Sequence, residues 1–222
     1  MHYTISGEIA QNVRFELDAQ DTLWASTGSI MAYSKGVDWE LRVPGGIGAA
    51  ISRTLAGEGI SLSYIQSREA GQYLLVASGA PGHIAVWNLA DGPVVTTRGS
   101  FLAAWGADVD IAITTARRAG AAFFGGVGLF LQRISGQGTV LIHGSGDFYE
   151  RQLAAGEQMM VSTGHLAAFA DNVDYDIQRV GGIRKTLFGG EGLFMTRLTG
   201  PGRVLLQTLK RYTTTAASSG AG

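Results

Sequence analysis

Cysteine is absent from the chain, which excludes disulfides, thiolate metal sites and cysteine nucleophiles. The absence fits a reducing compartment, and the cytoplasm is the expected location. Proline is scarce, with 4 residues, so stiff proline-rich linkers are excluded. Charge of either sign is also scarce, at 16% of residues, and it nearly cancels: 17 basic against 18 acidic side chains give a net −1. A protein that neutralises nucleic-acid phosphates shows a basic excess or stripe. The local basic groups here are only the pairs Arg117-Arg118, Arg184-Lys185 and Lys210-Arg211. DNA is not an expected partner, and RNA is disfavoured. No apolar run is long enough for a membrane-spanning helix. The stretch from Ala119 to Leu131 has 13 residues against the roughly 20 required. The N-terminal MHYTISGEIAQNVRFEL has neither the basic nor the apolar region of a secretory signal. Peripheral membrane contact is left without support from any span.

What the chain has in quantity is glycine, 33 residues, in a composition that is 45% hydrophobic. That ratio suits a sizeable core and many tight turns between short strands. The glycines are also ordered. FFGGVGLFLQRISGQGTVLI, with its second phenylalanine at Phe124, matches FGGEGLFMTRLTGPGRVLL, which starts at Phe188, at a constant offset of 64. Gly125, Gly126, Gly128, Leu129, Phe130, Arg133, Gly136, Gly138 and Val140 each find an identical partner. A weaker copy, LAGEGISLSYIQSREAGQYLLV, begins at Leu55.

A second element recurs beside the first. STGSIMAYSKGVDWEL from Ser26 aligns with STGHLAAFADNVDYDI from Ser162, and GSFLAAWGADVDIAI from Gly99 supplies a middle copy. The chain therefore holds three units of about 65 residues. VDWEL and VDYDI alternate apolar and polar side chains, the mark of a half-buried strand. TVLIH and RVLLQTL are short apolar runs bounded by glycine, consistent with more deeply buried strands. The GQG and GPG turns between such runs predict a hairpin in each unit. No window carries a convincing helical period with caps, so the expected class is all-β.

These paired elements resemble those of the altered-inheritance-of-mitochondria family, a set of largely uncharacterised microbial proteins with a fungal mitochondrial member. Its fold is called tryptophan RNA-binding attenuator protein-like, or TRAP-like. The resemblance spans roughly residues 1–210. It implies β-sandwich or double-stranded β-helix units in a compact pseudo-threefold domain, and it carries over no catalytic residue. The fungal member is associated with the mitochondrial inner membrane. The expected organisation is one domain over 1–212, with units at about 1–77, 78–144 and 145–212, and a disordered 213–222 tail.

Candidate chemistry is sparse. Gly57 and Gly59, Gly126 and Gly128, and Gly190 and Gly192 lack the third glycine and following helix of a dinucleotide loop, so they are expected to be turn glycines. Asp38, Asp110 and Asp174 occupy equivalent places. Either they converge on the pseudo-threefold axis around a cation, or each accepts hydrogen bonds at its own strand edge. Glu58 and Glu191 are equivalent, with Val127 in the middle unit. His2, His83, His143 and His165 show no metal-ligand spacing. His143-Gly-Ser145-Gly-Asp147 contains the residue types of a hydrolytic triad but is expected to be a polar loop, because neighbours on an extended chain diverge. No catalytic residue, cofactor or metal is assigned. The sequence points to a non-enzymatic structural or interaction module that associates with itself or another protein. The alternatives are a small-molecule or metal site on the axis and, more weakly, RNA binding on a β-surface.

Overall fold

A computed structural model describes residues 1–44, 61–97, 99–115, 130–179 and 194–211. The six repeat glycines, Glu58, Glu191 and the tail lie outside them. The first unit carries β1 (His2–Ser6), β2 (Asn12–Leu17), β3 (Thr22–Ser26), β4 (Ile30–Tyr33), β5 (Val37–Arg42), β6 (Leu62–Ser67) and β7 (Gln72–Ala77). The next carries β8 (Gly82–Asn88), β9 (Val94–Thr97), β10 (Phe101–Trp105), β11 (Asp110–Thr115), β12 (Phe130–Ser135) and β13 (Thr139–Ser145). The last carries β14 (Phe148–Leu153), β15 (Gln158–Ser162), β16 (Leu166–Ala170), β17 (Asp174–Arg179), β18 (Phe194–Thr199) and β19 (Gly202–Gln207). Among the described residues there is no α-helix, only short 3-10 turns such as Leu89–Asp91. The protein is all-β.

The strands form four sheets, with orders β1-β2-β7-β4 (sheet I), β5-β6-β3-β10-β13-β8 (sheet II), β11-β12-β9-β16-β19-β14 (sheet III) and β15-β18-β17 (sheet IV). Sheet III repeats the order of sheet II with every strand displaced by six in the chain. The predicted hairpins do not form. β12 pairs with β11 and β9, whereas β13 pairs with β10 and β8, so the GQG turn carries the chain from one sheet into another. The GPG turn does the same between β18 and β19, and so does the turn between β6 and β7. A turn signal marks a reversal but does not say which strands will be neighbours. Here the glycine is needed because two backbones meet at the corner. A Cβ on Gly136, at φ 101°, would lie 1.7 Å from the Asp108 carbonyl oxygen.

Stacking follows from burial. Phe15, Leu74 and Val76 of sheet I share a cluster with Leu23, Ile65 and Leu141 of sheet II. On the other face of sheet II, Phe101, Val140 and Ile142 pack with Val94, Ile134 and Leu205 of sheet III. The opposite face of sheet III, through Val95, Leu131, Phe169 and Val204, meets Val161 and Leu198 of sheet IV. The two middle sheets are thus covered on both sides. For this reason β9 (VVTT) and the first four residues of β10 (FLAAW) are buried without alternation, while β2 in an outer sheet alternates. Tyr3 and Phe15 meet Trp105 edge-on at 5.0 and 5.1 Å and fasten sheet I to sheet II.

The junctions leading into β2, β8 and β14 lie side by side. Ala10 bridges Gly82, and Gly82 bridges Gly146, each in parallel. Gly82 N donates to Ile9 O at 2.8 Å, and Gly146 N donates to Pro81 O at 3.1 Å. A Cβ on Gly82 would fall 1.9 Å from the Gly144 carbonyl oxygen, so no larger residue fits without backbone movement.

Candidate functional site

The proposed carboxylate triad does not assemble. Asp38, Asp110 and Asp174 begin or nearly begin β5, β11 and β17, which are edge strands of three different sheets. Asp38 is held in a two-point ion pair by Arg68. Asp110 adds to the negative field around Arg133, whose main partner is Asp171 at 2.9 Å. Among the described residues no group of three His, Asp or Glu side chains could hold a metal ion.

The polar residues that do come together lie beside the stacked junctions. β13 extends through Ser145, so His143 and Ser145 are two apart on one strand and share a face. The expected polar loop is therefore partly strand, and His143 is 1% exposed. After β19 the chain returns to this face: Leu209 N donates to Ser145 O and Arg211 N to Gly164 O. That brings in the Arg211 guanidinium. Its Nε donates to Ser145 Oγ at 2.9 Å and its Nη1 to Ser100 Oγ at 2.7 Å. Its Nη2 donates to His143 Nδ1 at 2.6 Å and to His143 O at 3.2 Å. Ser100 Oγ lies 3.1 Å from Thr97 Oγ1, which in turn donates to Leu166 O at 2.9 Å.

Electrostatics follow from the geometry. Burial, reinforced by the Arg211 charge, lowers the His143 pKa from 6.5 to about 4, with the Ala80 carbonyl opposing. An arginine nitrogen can only donate, so Nδ1 accepts and the proton of neutral His143 sits on Nε2. That nitrogen is buried with no hydrogen bond among the described residues. Burial alone lowers the Arg211 pKa, to about 10. Ser145 is not activated as a nucleophile, because it faces the arginine rather than a basic nitrogen. Nearby, His83 Nδ1 stands 3.1 Å from Asp147 Oδ1 and 3.0 Å from Gly146 O. Gln207 joins the same region, receiving Ser145 N on Oε1 at 3.0 Å and donating to Gly164 O at 2.9 Å.

A second feature lies at the far edge of sheet II. Trp39 and Leu41 pair in register with Ile65 and Ser63, both buried, so they stand on the core-facing side of the sheet. Nevertheless Trp39 is 45% and Leu41 54% exposed, and Val43 continues the exposed face. Asp38, Glu40 and Arg42 stand on the other face, where Arg42 pairs with Glu40 and covers the Tyr64 ring at 4.0 Å.

Four stacked sheets, with a polar cluster around one arginine and an open apolar edge, define an all-β chain of sheets shared between successive strand sets. The chain belongs to the mitochondrial biogenesis AIM24 family, whose model matches residues 3–209. An uncharacterised protein of Streptococcus pyogenes serotype M6 is 28% identical over 224 residues, which is 93% of this chain and 88% of that one. The crystal structure of a Streptococcus pyogenes protein superposes with a TM-score of 0.76 at 24% identity, covering 94% of both chains. At that identity the likeness speaks for the fold. No helix among the described residues is long and apolar enough to cross a membrane, which says nothing of crossing by strands.

Proposed function

We propose that this chain is a non-enzymatic interaction module with a pseudo-threefold, TRAP-like build, and that it self-associates through β5. The symmetry reading is supported by the six-strand displacement between sheets II and III. It is also supported by the same bulge in β4, β10 and β16, at Ile30/Ala32, Phe101/Ala103 and Leu166/Ala168. Continuing that displacement makes sheets IV and I two halves of a third sheet, with β15 beside β4. Val161 would then face Ala32, and Met160 would face Tyr33.

The observation that carries self-association is the exposed row Trp39, Leu41 and Val43 on a strand whose outer edge has no ladder partner among the described residues. Such an edge is a template for another strand. A second copy fits it. Antiparallel pairing of two β5 strands about Glu40 places Asp38 of one copy opposite Arg42 of the other, and Trp39 opposite Leu41. Each central Glu40 already has its own Arg42 as partner. Arginines at 14, 42, 68, 133, 151, 197 and 203 all engage carboxylates, which favours a protein partner over RNA phosphates. Light scattering with size-exclusion chromatography tests the reading. The wild-type chain is expected to form a dimer, and a Trp39→Glu/Leu41→Glu variant a folded monomer. A wild-type chain that stays monomeric at its highest soluble concentration overturns it.

A further inference from the structure

We propose that Arg211 and Ser145, braced by Ser100 and His143, form a seat for a small, singly charged carboxylate. This site is independent of the β5 edge. Its first support is a contrast in charge balance. Seven arginines with described side chains each face a carboxylate, and all are at least partly exposed. Arg211, half-buried as Arg133, Arg197 and Arg203 are, has no acidic partner among the described residues; it meets only hydroxyl, imidazole and carbonyl groups. A desolvated cation without a counter-charge is costly, and an anion in this place relieves the cost.

Donor accounting locates the anion. A guanidinium has five N–H groups, and four of them reach Ser145 Oγ, Ser100 Oγ, His143 Nδ1 and His143 O. The fifth, on Nη1, has no acceptor among the described residues. Ser145 Oγ accepts from Arg211, which leaves its own O–H free to donate. Ser100 differs, since its hydroxyl is linked onward to Thr97. Two donors, Nη1–H and Ser145 O–H, thus have no acceptor among the described residues. The groups that Arg211 contacts are neutral, His143 included; the nearby carboxylate, Asp147, is not among them. Asp147 is engaged by His83.

Charge chooses among anions. Arg211 supplies one positive charge and the imidazole it contacts is neutral, which suits a carboxylate better than a doubly charged phosphate. His143 and Ser100 act as positioning residues that hold the guanidinium.

The test uses the full-length, 15N-labelled chain and compares acetate, inorganic phosphate and chloride at constant ionic strength. The Arg211 Nε–H resonance is expected to shift saturably with acetate, less so with phosphate, and to show no saturation with chloride. Thermal melts supply the variants. Acetate raises the melting temperature of wild type, Ser145→Ala raises the half-saturating acetate concentration roughly 5-fold, the equivalent of one neutral hydrogen bond, and Arg211→Gln abolishes the response. If Arg211→Gln does not fold, Ser145→Ala and the wild-type resonance carry the decision. Absence of a saturable acetate shift, tighter binding of phosphate than of acetate, or a Ser145→Ala response equal to wild type each overturns the proposal.

Discussion

The first unit and the third carry the same element in opposite surroundings. In the third, Phe169 is buried and packs on Tyr175 at 5.4 Å, and Ile177 two places on is 7% exposed. In the first, the corresponding Tyr33, Trp39 and Leu41 all stand at the surface. β5 and β17 have the same length and each ends its sheet, so neither length nor edge position of these strands produces the difference. It arises from what lies opposite. β16 is an inner strand of sheet III, hydrogen-bonded to β9 and β19, whereas β4 ends sheet I and has only β7. The same side chain type is core where a neighbour supplies a second layer, and surface where none does.

The comparison can be broken most sharply by truncating corresponding aromatics. Phe169→Ala is expected to cost about 3–5 kcal/mol in denaturant unfolding, the range for a large buried aromatic. Tyr33→Ala should stay within about 1 kcal/mol, as for a surface position. Equal losses would mean that the third seam is closed and Tyr33 buried in solution. A second difference lies in acid sensitivity. At one strand position the three units carry Ala77, His143 and Gln207, so only the middle one titrates there. His143 has a pKa of about 4 in the fold against 6.5 when unfolded, so the unfolded chain takes up this proton first as pH falls. Its stabilising effect is complete above about pH 6.5 and is lost progressively toward pH 4, on the order of 3 kcal/mol in all. His143→Gln should flatten that slope in urea titrations. A slope unchanged by the substitution would remove His143 as its source. The smallest effect is expected at the surface of the first unit. Arg68→Ala, which frees Asp38, should change stability by about 0.2–1 kcal/mol, and less in high salt.

How much of this was legible in the residues depends on how far each signal had to reach. The alternation of Val37 to Leu41 and the unbroken apolar run of Val140 to Ile142 are local signals, and both became strands; the second is buried as expected, whereas the first is exposed beyond Val37 rather than half-buried. The GQG turn misled because it encodes a reversal of direction but not membership of a sheet. Pairing was settled by β9 and β10, more than twenty residues away in the chain. The arginine cluster was invisible for a similar reason. Ser100, His143 and Ser145 lie 111, 68 and 66 residues from Arg211 and meet it only through strand pairing. Lys210-Arg211 looked like one more basic doublet. One signal was present in the repeat itself: an offset of 64 puts Arg211 at the place of Asp147, next to the polar run that begins at His143.

The sharing of sheets between units has a consequence for how the molecule can come apart. Sheet II takes β5, β6 and β3 from one unit and β10, β13 and β8 from the next, and sheet III repeats the exchange. The middle unit cut out of the chain would keep its six strands, but β9 would lose β16 as a neighbour and β10 would lose β3. The repeat is therefore a unit of sequence and not a unit of folding. Hydrogen exchange should find β10, β13, β16 and β19 opening only in the global transition, with β1 and the outer sheets loosening earlier. A chain shortened by the middle set of strands would leave β3 and β16 each without one of their ladder partners.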